Sequence, residues 1–383
     1  MSRSLLRLLL LLALAVPAAA QDVVLRVGHV LSTPAAEPLG GEEGAVLLVR
    51  EGLVAGLAHT LDLPPGVPVV ALPGAWAVPG LVEPWAEPGG RGAPGEAAAA
   101  IQADVVAGTR LDRRHPDWAR LRAAGVTACC LTPGDGALVP GWGQVVSGAG
   151  APLDGVEPVL RLVLGASALS SDRPPTSRSG AVALLREALT AAHGEGGAEH
   201  PLRPFARGQR PGLVRVESVA DLRAALELQG AFGLKLLVQL GPGFTTEDLA
   251  GLELGPASPT FVLGPWDLTT PRSELLLAQA LAARGVELAF TGHPPLGPAG
   301  GARLTAALAV RQGLAPGKAL AALTTAPAAA LGIAPRAGSL EVGRPGDVVV
   351  LDGPPLDPAS RVLGVWIGGR RVVPSPTGRE EAP

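Results

Sequence analysis

The chain has 383 residues, of which 47% are hydrophobic and 17% charged, with a formal charge of −3. That length accommodates one large barrel with an accessory domain, or two to three smaller domains, and either buries a substantial core. With no basic excess to neutralise phosphates, no nucleic acid partner is expected.

Residues 1–20, MSRSLLRLLLLLALAVPAAA, read as a signal peptide. Arg3 and Arg7 precede an apolar run from Leu8 to Val16, and Ala18, Ala19 and Ala20 form a small-residue exit. The run is short for a membrane span, and no later stretch reaches the ~18 continuous apolar residues a span needs. The mature protein is expected to be exported, periplasmic or extracellular, with no transmembrane span after signal cleavage. Cys129 and Cys130 are adjacent, offer neither a disulfide framework nor a C-x-x-C spacing, and read as small buried hydrophobes.

Residues 21–76 have the texture of short strands. Ala45–Val49 and Leu53–Ala58 flank Arg50-Glu51-Gly52 as a hairpin. The segment 333–373 mirrors this, with a strand in DVVVLDG and a hairpin around Gly368-Gly369. Residues 374–383 read as a disordered tail.

Strand and helix patterns alternate between these ends. HPDWARLRAAG reads as a helix stopped by Gly125, and VTACCLT follows as a buried strand. SVADLRAALELQG places Ser218 and Asp221 at capping-box spacing, with Gly230 at the helix exit. LKLLVQL, TFVLG and VELAF read as further buried strands, and PRSELLLAQALAARG and ARLTAALAVRQG as helices. Near-continuous apolar strands alternating with helices imply a parallel sheet covered on both faces. Over about 250 residues this fits a (β/α)₈ TIM barrel, assigned here to 77–332, with an open doubly wound sheet as the alternative. The terminal segments 21–76 and 333–373 then form a small β-sandwich domain.

These pieces together resemble the metal-dependent amidohydrolase superfamily, most closely its exported imidazolonepropionase-like members. GAVLLVREGLVAGLA is similar to the family's N-terminal hairpin, and LPGAWAVPGLVEP to its approach to the first barrel strand. LRAAGVTACCLTPGDGALVPGWGQVVS resembles the Gly-Val-Thr strand and the glycine-rich segment after it. The stretch from GLAPGKALAALTTAPAAALGI to DVVVLDGPPLD resembles the closing helices and the return to the sandwich.

The resemblance implies hydrolysis of C–N bonds by water activated on a metal at the C-terminal mouth of the barrel. Its ligands would be two histidines one residue apart after strand one, two from mid-barrel strands, and a late aspartate. Here the paired positions fall on Trp85 and Glu87, the mid-barrel positions near Glu217 and Gln239, and the late position on His293. Trp85 offers only an indole N–H and glutamine is a poor zinc ligand, so the set reads as degenerate, with no catalytic residue, cofactor or metal expected. The alternative is one zinc or other divalent metal held by a rearranged set of Glu87, Glu217 and His293, serving an active hydrolase. The expected function is binding, with a small-molecule ligand at the barrel mouth. The family often forms oligomers, and no interface is marked in the sequence. The group Asp112, His115 and Asp117 reads as a loop and cap before a helix.

Overall fold

The computed structural model describes residues 22–89, 96–194, 200–294, 296–297 and 301–373; the signal and tail read from the sequence lie outside them. Among the described residues no helix is long and apolar enough to cross a membrane.

Both ends of the described chain enter one seven-stranded sheet. From the N-terminal side come β1 (Val23–Val30), β2 (Leu39–Arg50), β3 (Leu53–Ala58) and β4 (Val69–Pro79). The C-terminal side adds β13 (Val348–Leu351), β14 (Val362–Ile367) and β15 (Arg370–Val373), in the order β15-β14-β13-β4-β1-β2-β3. The joint is β4 with β13, where Trp76 to Pro79 pair antiparallel with Leu351 to Val348. Both hairpins read from the sequence are present. Their two-residue connections hold positive φ throughout, at Glu51 (51°) and Gly52 (80°) and at Gly368 (55°) and Gly369 (75°), the twist that tight hairpins favour. Leu25, Leu47, Val348 and Trp366 lie in the core of this sheet.

The second sheet has eight strands in chain order: β5 (Leu81–Ala86), β6 (Val126–Leu131), β7 (Gly141–Ser147), β8 (Val159–Leu164), β9 (Gly212–Val216), β10 (Leu236–Leu240), β11 (Thr260–Leu263) and β12 (Leu288–Phe290). Its edges, β5 and β12, approach one another and nearly close a barrel. The TIM-barrel-like reading therefore holds, with one departure from an all-parallel sheet. Strand β7 runs antiparallel to both β6 and β8. The glycine-rich segment TPGDGALVP returns the chain without the long crossover that a parallel neighbour requires, so the next strand enters reversed.

Around the barrel lie α1 (Asp117–Ala123), α2 (Arg178–His193), α3 (Arg203–Ala206), α4 (Val219–Phe232), α5 (Arg272–Leu275), α6 (Leu277–Ala283), α7 (Gly301–Arg311), α8 (Pro316–Leu323) and α9 (Thr325–Ala330). Ser218 caps α4 as its spacing implies, its Oγ accepting from the Asp221 N–H at 3.2 Å. The helix does not stop at Gly230. It runs to Phe232, which packs on the barrel's outer core, and Gly233 supplies the left-handed exit at φ 65°.

One cluster marks the inside of the barrel. Val82, Ala128, Val145, Val159, Leu213, Leu237, Val262 and Ala289 contribute one apolar side chain from each strand. Ala328 of α9, with Leu331 and Ile333 just after it, packs into the same cluster. The polar chemistry begins two residues further along several of these strands.

Candidate functional site at the barrel mouth

Side chains alternate between the two faces of a strand, so residues two apart share a face. Val159 of β8 is followed on the inward face by Arg161, Leu213 of β9 by Arg215, and Leu237 of β10 by Gln239. Arg161 is fully buried, yet its guanidinium is well partnered. Its Nε and Nη2 donate to Asp135 Oδ1 at 2.9 and 2.7 Å, and its Nη1 donates to Gln239 Oε1 at 3.0 Å. Arg215 Nη1 donates to the second Asp135 oxygen, Oδ2, at 3.0 Å. Asp135 is thus clamped between two cations. Burial alone would raise its carboxyl, but the charges and hydrogen bonds of Arg161 and Arg215 outweigh that and hold it below the usual carboxylate range.

Trp85, near the end of β5, meets this pair. The Arg161 guanidinium carbon lies over its indole at 5.2 Å from the ring centroid and that of Arg215 at 6.0 Å, both within cation–π reach. His293 stacks on the same indole, with ring centroids 3.3 Å apart and planes 14° from parallel. The imidazole Nε2 is 3.4 Å from Glu87 Oε1. His293 takes positive φ (46°) in the turn after β12, and its N–H donates to Thr291 Oγ1 at 2.9 Å. The turn is tied to the loop after β5 by the Glu87 N–H donating to the Pro294 carbonyl at 2.9 Å.

Glu217, just beyond β9, turns aside. Its Oε2 accepts from the Ala166 N–H at 2.7 Å and its Oε1 from Ser167 Oγ at 3.2 Å, while Arg215 Nε lies 3.4 Å from Oε1. Gly165 makes room for this, since a Cβ there would come 2.4 Å from the carboxyl carbon.

All five sequence-assigned positions therefore touch one network around the two arginines. Trp85 and Gln239 meet Arg161, Glu217 meets Arg215, His293 lies on Trp85, and Glu87 reaches His293. The structure brings Glu87 and His293 together. Glu217 is engaged with Arg215 and the Ala166–Ser167 turn, not with that pair.

The donor set does not fit a metal. Among the described residues no group of three or more His, Cys, Asp or Glu side chains is placed to hold an ion. Asp135 and Gln239 are spent on guanidinium groups, and two cations already stand beside the indole. A zinc site normally draws three or four ligands to converge on one point. Two donors of the site are buried without a hydrogen-bond partner among the described residues: the Trp85 indole N–H and Arg215 Nε, the latter left with only its 3.4 Å ion pair to Glu217.

Arg161, Arg215, Asp135 and Glu83 form the part of the site that the sequence reading did not single out. The first two had a signal. An arginine inside a run such as VLRLVL or LVRV of a sheet covered on both faces has no solvent to face, so it must face partners. Glu83 alternates with the inward Val82 and is buried against the outer side of β5. It accepts hydrogen bonds from Thr291 Oγ1, from the Gly292 N–H at 2.9 Å and from the Trp85 N–H at 3.4 Å. Those bonds join the end of β5, which carries Trp85, to the turn after β12, which carries His293. Burial pushes the Glu83 carboxyl up to about 8 despite these donors. Cys129 and Cys130 are buried free thiols as the sequence implied, with burial raising Cys130 to about 12. Asp117 is buried and serves the loop, its Oδ2 accepting from the Gly89 N–H at 3.0 Å and lying 3.0 Å from His115 Nδ1.

The sequence model of the amidohydrolase family matches residues 290–372. Among solved structures, an amidohydrolase from Thermotoga maritima MSB8 is similar over 92% of this chain and 100% of its own, at 23% identity and a TM-score of 0.78. The fold is an amidohydrolase fold. A prolidase complexed with N-methylphosphonate-L-proline aligns over 93% of this chain and 100% of its own, at 14% identity and a TM-score of 0.60. A Xaa-Pro dipeptidase with methionine bound in its active site aligns over 92% and 99%, at 12% identity and a TM-score of 0.53. No curated protein sequence matches the chain. The resemblance read from the sequence thus holds at the level of the fold, and the segment from the end of β12 into β15 carries the family signal.

Proposed function

We propose that this amidohydrolase-fold chain is an exported protein that binds a small polar molecule at its barrel mouth and does not hydrolyse it. The carrying observation is that all five positions assigned to metal ligation are drawn into a network centred on Arg161 and Arg215. A guanidinium pair clamped by Asp135 supplies positive charge without Lewis acidity or an activated water. The partly exposed rim offers Arg215 to an anionic group, Glu217 and Glu87 to a cationic one, and the buried Trp85 N–H to an acceptor. Small zwitterions and amides match that pattern. Methionine, bound in the active site of one of the similar structures, is of this size and charge type.

The test is a pair of measurements on the purified full chain. Thermal unfolding with amino acids, dipeptides and cyclic amides is expected to show stabilisation by one class, reduced in Arg215→Gln and Trp85→Phe. C–N bond hydrolysis of the same compounds is expected to stay at background with added zinc. Zinc-dependent hydrolysis abolished by a chelator contradicts the proposal.

A further inference from the structure

The β5–β12 seam has a second side. Behind it, outside the barrel wall, lies a cavity of about 620 Å³ bounded by α1, the start of α7 and the loop before β14. That volume is in the range of small-molecule sites. Leu81, Val126 and Ala302 give it an apolar floor, Glu83 closes the inner wall, and Arg120 and Arg361 stand at its edge. None of the family-assigned positions lines it.

The charges at this cavity are unequal in role. Arg303 is a structural wall, its Nε, Nη1 and Nη2 donating to the carbonyls of Pro355, Ser360 and Asp357 at 3.1, 3.0 and 3.0 Å. Arg120 and Arg361 are exposed, and their ion pairs each engage one nitrogen: Arg120 Nη1 with Asp117 at 3.3 Å and Arg361 Nε with Asp352 at 2.8 Å. Ala302, in the first turn of the 11-residue α7, adds the positive end of a helix to the same wall.

From this arrangement we infer that the seam cavity is a second binding site, for a small amphipathic carboxylate. Its apolar body lies against Leu81, Val126 and Ala302, and its carboxylate meets Arg120 and Arg361. Glu83 does not compete for the guest's charge-bearing partners, because its carboxyl oxygens are engaged by Thr291 Oγ1 and by the Gly292 and Trp85 N–H groups. The inference goes beyond the mouth and does not depend on what the mouth binds.

The probes are octanoate and octylammonium, titrated calorimetrically into the full chain at pH 7. Octanoate is expected to bind at one site per chain and octylammonium not to bind. Arg120→Gln and Arg361→Gln, both changes at exposed side chains, are each expected to weaken octanoate about tenfold by removing a charge-assisted contact. Ala302→Phe, which fills the floor, is expected to abolish it; should that variant fail to fold, the two glutamine variants decide. Trp85→Phe, in the mouth, is expected to leave octanoate affinity unchanged. Equal binding of the two probes overturns the inference, as does no octanoate binding at millimolar concentration. So does octanoate binding that Trp85→Phe weakens and the arginine variants leave intact, which places the guest in the mouth.

Discussion

The lower and upper halves of the barrel lumen are built on the same strands and differ by a step of two residues. Val159, Leu213 and Leu237 make a dry apolar layer, while Arg161, Arg215 and Gln239 make a charged one. The lower layer needs only volume and shape, and hydrophobic packing tolerates exchange there. The upper layer stands on mutual satisfaction: every charge is answered by a named partner, and removing one strands another in low dielectric. The lower half is scaffold. The upper half is where this chain spends its specificity.

That contrast can be broken at Arg161. Arg161→Ala is expected to destabilise the chain by about 3–5 kcal/mol in denaturant unfolding, because Asp135 then keeps a buried charge against one partner. A double replacement, Arg161→Leu with Asp135→Asn, is expected to cost less than Arg161→Ala alone, since it removes the paired charges together and leaves an amide oxygen to accept from Arg215. Leu213→Ala in the lower layer is expected to cost about 2–5 kcal/mol through its cavity, with no such rescue by a second change. If the double variant is the worse of the two, the charged layer is not a paired unit.

Glu83 sharpens the comparison at the seam. Its folded carboxyl is raised from 4.5 to about 8, so the folded state holds that proton more tightly than the unfolded one. Its contribution to stability is full below 4.5 and is lost as pH rises to about 8. Asp347, raised by burial to about 6, acts in the same direction over a lower window. The melting temperature is therefore expected to fall between mildly acidic and mildly alkaline pH, and Glu83→Gln is expected to flatten the upper part of that fall. A variant whose pH profile superimposes on the parent's removes Glu83 from the account. The smallest effect is expected away from the lumen, where Ser218→Ala deletes the α4 cap for about 1 kcal/mol by chemical denaturation.

Much of this molecule was legible because local chemistry and tertiary need agree. The Glu51-Gly52 and Gly368-Gly369 turns, the Ser218 cap and the buried strands all say one thing at both levels. The five assigned positions fall near one another because framework motifs in the sequence mark the strand ends that hold them. The reversal of β7 was hidden, since a glycine-rich segment reads alike as a loop or as a turn into an antiparallel strand. The overrun of α4 past Gly230 reflects Phe232 finding a packing site, which local propensity does not see. The arginine pair was concealed by distance in sequence: Asp135 sits 26 residues from Arg161 and 80 from Arg215, and only the closed sheet brings them together.

The most direct test of the central claim is the metal content of the full chain purified without chelators, measured again after dialysis against zinc. If Arg161 and Arg215 hold the centre of the mouth, both samples will contain well under one metal per chain. About one tightly held ion per chain, lost on Glu87→Ala or His293→Ala, would mean that the mouth rearranges to build a metal site and that the binding-only reading is wrong.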